Sequence, residues 1–172
     1  MGNRGMAECG LAVVLGLGVT IAACEPCSPD EYEPNDAEGE ASAVGDITTD
    51  LNEIDANFDD QQDADCFSYA IPEPISEDLP ILYIEFKGAD REELGATLSF
   101  ACDEGDPAMF FCNGEELTDT TCSVNGKEPR FRVTYDCDDT SDKVGKASLR
   151  VCVTRPDPAK LCTDYSIRAY FN

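Results

Sequence analysis

RFRVTYDC (residues 130–137) sends Phe131, Val133 and Tyr135 to one side of an extended chain and Arg130 and Arg132 to the other. That period of two is the signature of a β-strand with one buried and one solvated face. The same alternation recurs at CFSYAI (66–71), ATLSFAC (96–102), ASLRVCVT (147–154) and DYSIRAYF (164–171). ILYIEFK (81–87) is more uniformly apolar, and AMFFC (108–112) is a shorter candidate. Runs of five to eight residues separated by Gly, Asp, Asn and Pro predict an all-β sandwich or barrel. No segment after residue 24 holds a helical period.

Working outward, the chain has a different character at its start. Cys9 to Ala23 reads CGLAVVLGLGVTIAA, an uncharged run too short to span a bilayer but of the length of an export-signal core. Ile21-Ala22-Ala23-Cys24 resembles the lipobox of bacterial lipoproteins. The resemblance implies cleavage after residue 23, lipidation of Cys24, and anchoring by acyl chains such as palmitate. The expected organisation is a lipoprotein signal peptide over 1–23, a lipidated N-terminus and acidic tether over 24–36, and one domain over 37–172. The localisation that follows is the bacterial cell envelope, on a periplasmic or cell-surface face.

The formal charge is −24, with 36 acidic and 12 basic residues. Such a chain repels phosphate, which argues against nucleic acid as a partner and leaves the N-terminal lipid to hold the protein to the membrane. Eight cysteines remain beyond Cys9 and Cys24: Cys27, Cys66, Cys102, Cys112, Cys122, Cys137, Cys152 and Cys162. An even number in an exported chain predicts disulfides. Zinc is disfavoured, since the eight contain no CxxC pair and the chain has no histidine. Short-range pairing is the expectation: Cys102 with Cys112, Cys122 with Cys137, Cys152 with Cys162, and Cys27 with Cys66.

Glu33-Pro34-Asn35-Asp36, then Val44-Gly45-Asp46-Ile47, then Asp63-Ala64-Asp65-Cys66-Phe67-Ser68-Tyr69 resembles the bacterial pre-peptidase C-terminal (PPC) domain family. The match covers roughly residues 31–100, with DYSIRAYF similar to the family's closing strand, while the Cys-rich stretch from about 101 to 163 departs from it. The resemblance implies a jelly-roll-like β-sandwich and an accessory rather than catalytic role. It also implies calcium as a cofactor, held by Glu33, Asn35, Asp36, Asp63 and Asp65. Independently, Asp55, Asp59, Asp60, Asp63 and Asp65 crowd into eleven residues, a density that a hard cation or a solvated acidic loop would accommodate. The order of these residues excludes an EF-hand, because Asp60 and Cys66 stand where that loop needs Gly and Glu.

The absence of histidine and of a free thiol removes the usual bases and nucleophiles, so no enzymatic activity is expected. The reading is a non-catalytic, lipid-anchored surface-binding or adhesion module for a protein or polysaccharide ligand. The alternatives are a structural envelope-assembly lipoprotein and a disulfide-rich inhibitor of extracellular enzymes, acting through loop 103–111 or 123–136, with Lys127 or Arg130 as a basic anchor. Arg130, Arg132, Arg150 and Arg168 fall at outward strand positions, either as a basic stripe or as partners of cross-strand carboxylates.

Overall fold

The computed structural model describes residues 27–48, 50–59, 64–72, 81–88, 93–137, 145–155 and 162–172. Apart from one 3-10 turn at Glu38–Glu40, its elements are strands: β1 (Ser42–Asp46), β2 (Asn52–Phe58), β3 (Ala64–Ile71), β4 (Ile81–Gly88), β5 (Glu93–Cys102), β6 (Met109–Cys112), β7 (Glu115–Thr118), β8 (Thr121–Lys127), β9 (Arg130–Asp136), β10 (Ala147–Thr154) and β11 (Thr163–Phe171). They form two sheets, one in the order β1-β3-β10-β5-β8-β7 and the other in the order β2-β11-β4-β9-β6. Among the described residues only β1 and β3 pair in parallel. Consecutive strands lie on opposite sheets throughout, except for the β7–β8 hairpin. That alternation is the jelly-roll-like feature of this β-sandwich.

The inward positions meet in one core. Phe67, Phe58, Leu82, Ile84, Leu98, Phe131, Val133, Val151 and Ile167 are fully buried, and each large apolar side chain removed from water contributes roughly 1.5–3 kcal/mol. Aromatic contacts join the layers: Phe100 stacks on Phe110 at 5.2 Å and leans on Tyr135 at 4.8 Å. Gly45 sits at φ +102° beside an irregularity in the β1–β3 register, a backbone that favours glycine and breaks the edge strand's alternation.

All eight predicted cysteines are paired, but not as short-range spacing suggested. The bonds are Cys27–Cys162, Cys66–Cys152, Cys102–Cys137 and Cys112–Cys122. The strand order explains the correction. Cys66 and Cys152 are directly opposed on neighbouring β3 and β10, with Cα atoms 4.0 Å apart, although 86 residues separate them in sequence. Cys112 ends β6 in one sheet and Cys122 lies on β8 in the other, so their bond ties the two layers at one margin. Four disulfides mark an oxidising, extracytoplasmic environment. Among the described residues no helix is long and apolar enough to cross a membrane.

A second correction concerns the tether. From Cys27 onward the acidic segment is part of the fold: Cys27 is bonded to Cys162, Tyr32 packs edge-on against Phe67 at 5.5 Å, and Asn35 is fully buried. The signal peptide and Cys24 lie outside the described residues.

Candidate functional site

Two places gather polar side chains in fixed geometry. The first is the N-terminal clasp. Asp30 accepts hydrogen bonds from the backbone N–H of Tyr32 at 2.8 Å and of Asn57 at 2.9 Å, which stitches the segment to β2. A cis Glu33–Pro34 peptide then turns the chain inward. The Asn35 carbonyl accepts from the Cys66 N–H at 2.8 Å, and its own N–H donates to Glu33 Oε2 at 3.2 Å. Asp65, also fully buried, accepts from the Tyr165 hydroxyl on β11, and the Tyr165 ring stacks on Phe58 at 4.8 Å.

The end of the Asn35 side chain lies 3.1 Å from Asp65 Oδ1 and 3.2 Å from Glu33 Oε1. With its nitrogen turned to these carboxylates, Asn35 donates to both and closes a metal-free clasp. With its oxygen turned to them, three hard oxygens face one another, part of the 6–8 that calcium takes. The amide orientation that satisfies both carboxylates is the hydrogen-bonded one; Glu33, Asn35 and Asp65 would supply only part of a calcium shell. Asp36 is exposed next to them, and Asp63 lies outside the described residues. Among the described residues no three Asp, Glu, Cys or His side chains converge on a common metal position. Asp55 does not join this group, because it points outward from β2 opposite Ser166, and Asp60 is outside the described residues.

The second place is the outer face of the β2-β11-β4-β9-β6 sheet. Strand register sets Glu53, Arg168, Glu85 and Arg130 in one row across four strands, alternating in sign. Arg168 donates from Nε and Nη2 to Glu53 at 3.0 and 2.9 Å, and Arg130 reaches Glu85 at 3.5 Å. The hydrogen bond and charge of Glu53 raise the pKa of the Arg168 guanidinium. The next row sets Tyr170 beside Tyr83 and Tyr83 beside Arg132. The two rings stack at 5.5 Å, and the Arg130 guanidinium covers the Tyr83 ring at 5.3 Å. Tyr170 donates its hydroxyl proton to Glu85 at 3.0 Å; partial burial first, then that acceptor, raises its pKa. Lys87, Asn113, Ser166, Glu85, Arg130 and Arg168 line an open depression of about 590 Å³ on this face.

The expected stripe of four arginines is thus divided. Arg150 belongs to the opposite sheet, where it pairs at 2.9 Å with Glu38 of the 3-10 turn, and two of the four, Arg130 and Arg168, sit on carboxylates of neighbouring strands, as the cross-strand reading anticipates. Exposed pairs of this kind contribute about 0–1 kcal/mol each, so they hold side chains in place more than they stabilise the fold. Arg132 and Lys87 make no hydrogen bond or ion pair through their side chains among the described residues. Lys127 remains exposed at the β8–β9 turn, whereas Arg130, though exposed, is engaged by Glu85 and the Tyr83 ring.

Sequence reasoning missed Tyr165, Tyr83, Tyr170, Glu85 and Asp30. Tyr165 had a readable signal, since a tyrosine at a core position of a strand needs a buried partner for its hydroxyl. Compared with known protein families the chain matches none, and no curated protein is significantly similar to it.

Proposed function

We propose that this protein is a lipid-anchored component of the bacterial cell envelope, held at Cys24, whose PPC-like sandwich is a non-catalytic surface-binding or adhesion module. The observation that carries the reading is the outer face with Tyr83, Tyr170, Arg130, Arg132 and Arg168. Half-exposed aromatic rings and guanidinium groups, fixed by register and by ion pairs, form a binding platform that loses little entropy on engagement. Core packing does not need those rings, because the buried layer lies on the other side of the same strands. The uncommitted cations Arg132 and Lys87 suit carboxylate or hydroxyl groups of a protein or polysaccharide ligand. Calcium at Glu33, Asn35 and Asp65 would stabilise the module without taking part in recognition, since these residues sit at the buried clasp.

The test is saturable binding of the exported, purified chain to immobilised cell-wall polysaccharide and to matrix protein. A double variant, Tyr170→Ala with Arg132→Ala, is expected to weaken binding at least tenfold while leaving the thermal midpoint within a few degrees. Absence of saturable binding to any such surface, or unchanged binding by the variant, refutes this assignment of the face.

A further inference from the structure

The β6–β7 end of the sandwich carries an inference that stands whatever the Tyr83–Tyr170 platform binds. Of the four exposed large apolar side chains in the described residues, three fall on one ten-residue stretch: Met109, Phe111 and Leu117. Phe111 is 56% exposed although its neighbour Phe110 is stacked inward on Phe100. The stretch comprises β6 and β7, which end their respective sheets, so both sheets present an unpaired edge at this margin among the described residues. It is also rigid. Cys112–Cys122 ties β6 to β8, Asn113 bonds the backbone of Arg130 and Arg132, and a Cβ on Gly114 would lie 2.3 Å from the Ser123 carbonyl.

Charge decides what fits there. Between Cys102 and Cys122 the chain has six carboxylates, Asp103, Glu104, Asp106, Glu115, Glu116 and Asp119, and no Lys or Arg. All six are exposed, and none is ion-paired among the described residues. Acidic flanks alone are a common guard against edge-to-edge aggregation. A guarded edge, however, has no need to hold three large apolar side chains outward. Self-association is opposed by the same carboxylates on a chain of charge −24, and anionic lipid and nucleic acid are opposed in the same way.

We propose that the β6–β7 margin docks an extended cationic segment of a partner protein. That segment lies along the edge of β6, sets apolar side chains against Met109 and Phe111, and faces its Lys or Arg residues to the flanking carboxylates. Strand addition of this kind draws affinity from main-chain hydrogen bonds and selectivity from alternate side chains. Arg132, on the neighbouring strand β9, lies beside Tyr83 and marks the basic limit of the acidic margin.

The test uses the exported full chain and a labelled octapeptide alternating Lys with Phe or Val, read by fluorescence anisotropy. Saturable binding is expected, several-fold weaker at about 300 mM salt than at about 50 mM. Phe111→Ser and, separately, Met109→Ser should weaken it about tenfold with an unchanged melting midpoint. An octalysine and a peptide with Glu in place of Lys should bind at least tenfold more weakly. The sheet-face variant Tyr170→Ala with Arg132→Ala should bind the peptide as the natural chain does, which separates this proposal from the one above. No saturable binding, equal binding of octalysine, or indifference to both apolar substitutions overturns it.

Discussion

Asn35→Asp tests what the clasp is for. In the metal-free arrangement the substitution replaces two hydrogen bonds, at 3.1 and 3.2 Å, by a third carboxyl group facing Asp65 and Glu33. Each lost bond to a charged acceptor is worth about 1.5–3 kcal/mol, and an added charge about 4 Å away opposes folding by roughly 4 kcal/mol at an effective dielectric of about 20 unless it protonates. A loss of at least ~3 kcal/mol without calcium follows. With calcium the added carboxylate becomes a further hard ligand, and most of the loss is recovered. For the natural chain, a dissociation constant of about 0.1–1 mM, usual for extracellular modules, gives about 1–2 kcal/mol of stabilisation at ~5 mM calcium. In a domain of this size that is a rise of roughly 3–8 °C in the midpoint. The assay is a thermal melt of the oxidised chain in calcium and in chelator, for both sequences. The expected pattern is a calcium-dependent rise in the natural chain and a larger one in Asn35→Asp. A natural chain indifferent to calcium, with a variant equally destabilised in both conditions, refutes the calcium reading and leaves a hydrogen-bonded clasp.

Tyr165→Phe removes the hydroxyl that donates to buried Asp65 and should cost about 2–3 kcal/mol, whereas Tyr69→Phe should cost under about 1 kcal/mol, because the Tyr69 hydroxyl makes no hydrogen bond among the described residues; chemical denaturation of both variants checks the contrast. Burial pushes the Tyr69 and Tyr135 phenols well above their ordinary value of 10.0. Since the folded pKa is raised, their contribution is complete below about pH 10 and is lost as pH rises toward the folded values, so alkaline titration should show phenolate absorbance from these two appearing together with unfolding rather than before it. Replacing Cys27 and Cys162 together by Ala opens a loop spanning 135 residues and should cost about 3–5 kcal/mol in the melt while freeing the N-terminal segment to proteolysis; retained protection there would mean that Asp30 and Asn35 dock the segment unaided.

Strands β3, β5, β9, β10 and β11 were legible because an apolar face alternates with a polar one along each. ASLRVCVT coincides with β10, and Leu149, Val151 and Val153 face the core as their spacing requires. Of the end strands, β6 was legible as AMFFC, whereas β7 and β2 were not, for a physical reason. β7 reads EELT and is exposed along its whole length, so no apolar period records it, and β2 hides its Ile54-Ala56-Phe58 alternation among acids that suggest a cation loop. Disulfide partners were misread because sequence distance carries no information about which strands become neighbours once consecutive strands go to opposite sheets. Asn35 and Asp65 were singled out by motif, yet Tyr165 on β11 reaches Asp65 on β3 only because the two sheets pack face to face, 100 residues apart in sequence.

The distribution of charge follows from the same topology. A chain of charge −24 folds against its own repulsion, and two devices offset it. Disulfides bind places the core alone would hold weakly: the N-terminal segment through Cys27, and the β6 margin through Cys112. Cations are placed between acids on the sheet face, with Arg168 between Glu53 and Glu85 and Arg130 beside Glu85. The 103–119 margin has no internal cation and turns only Phe110 and Cys112 toward the core, although it is anchored by two disulfides. Covalent anchoring permits an edge to stay acidic and apolar with no ion pair among the described residues, and the cationic segment proposed above would supply the missing positive charge.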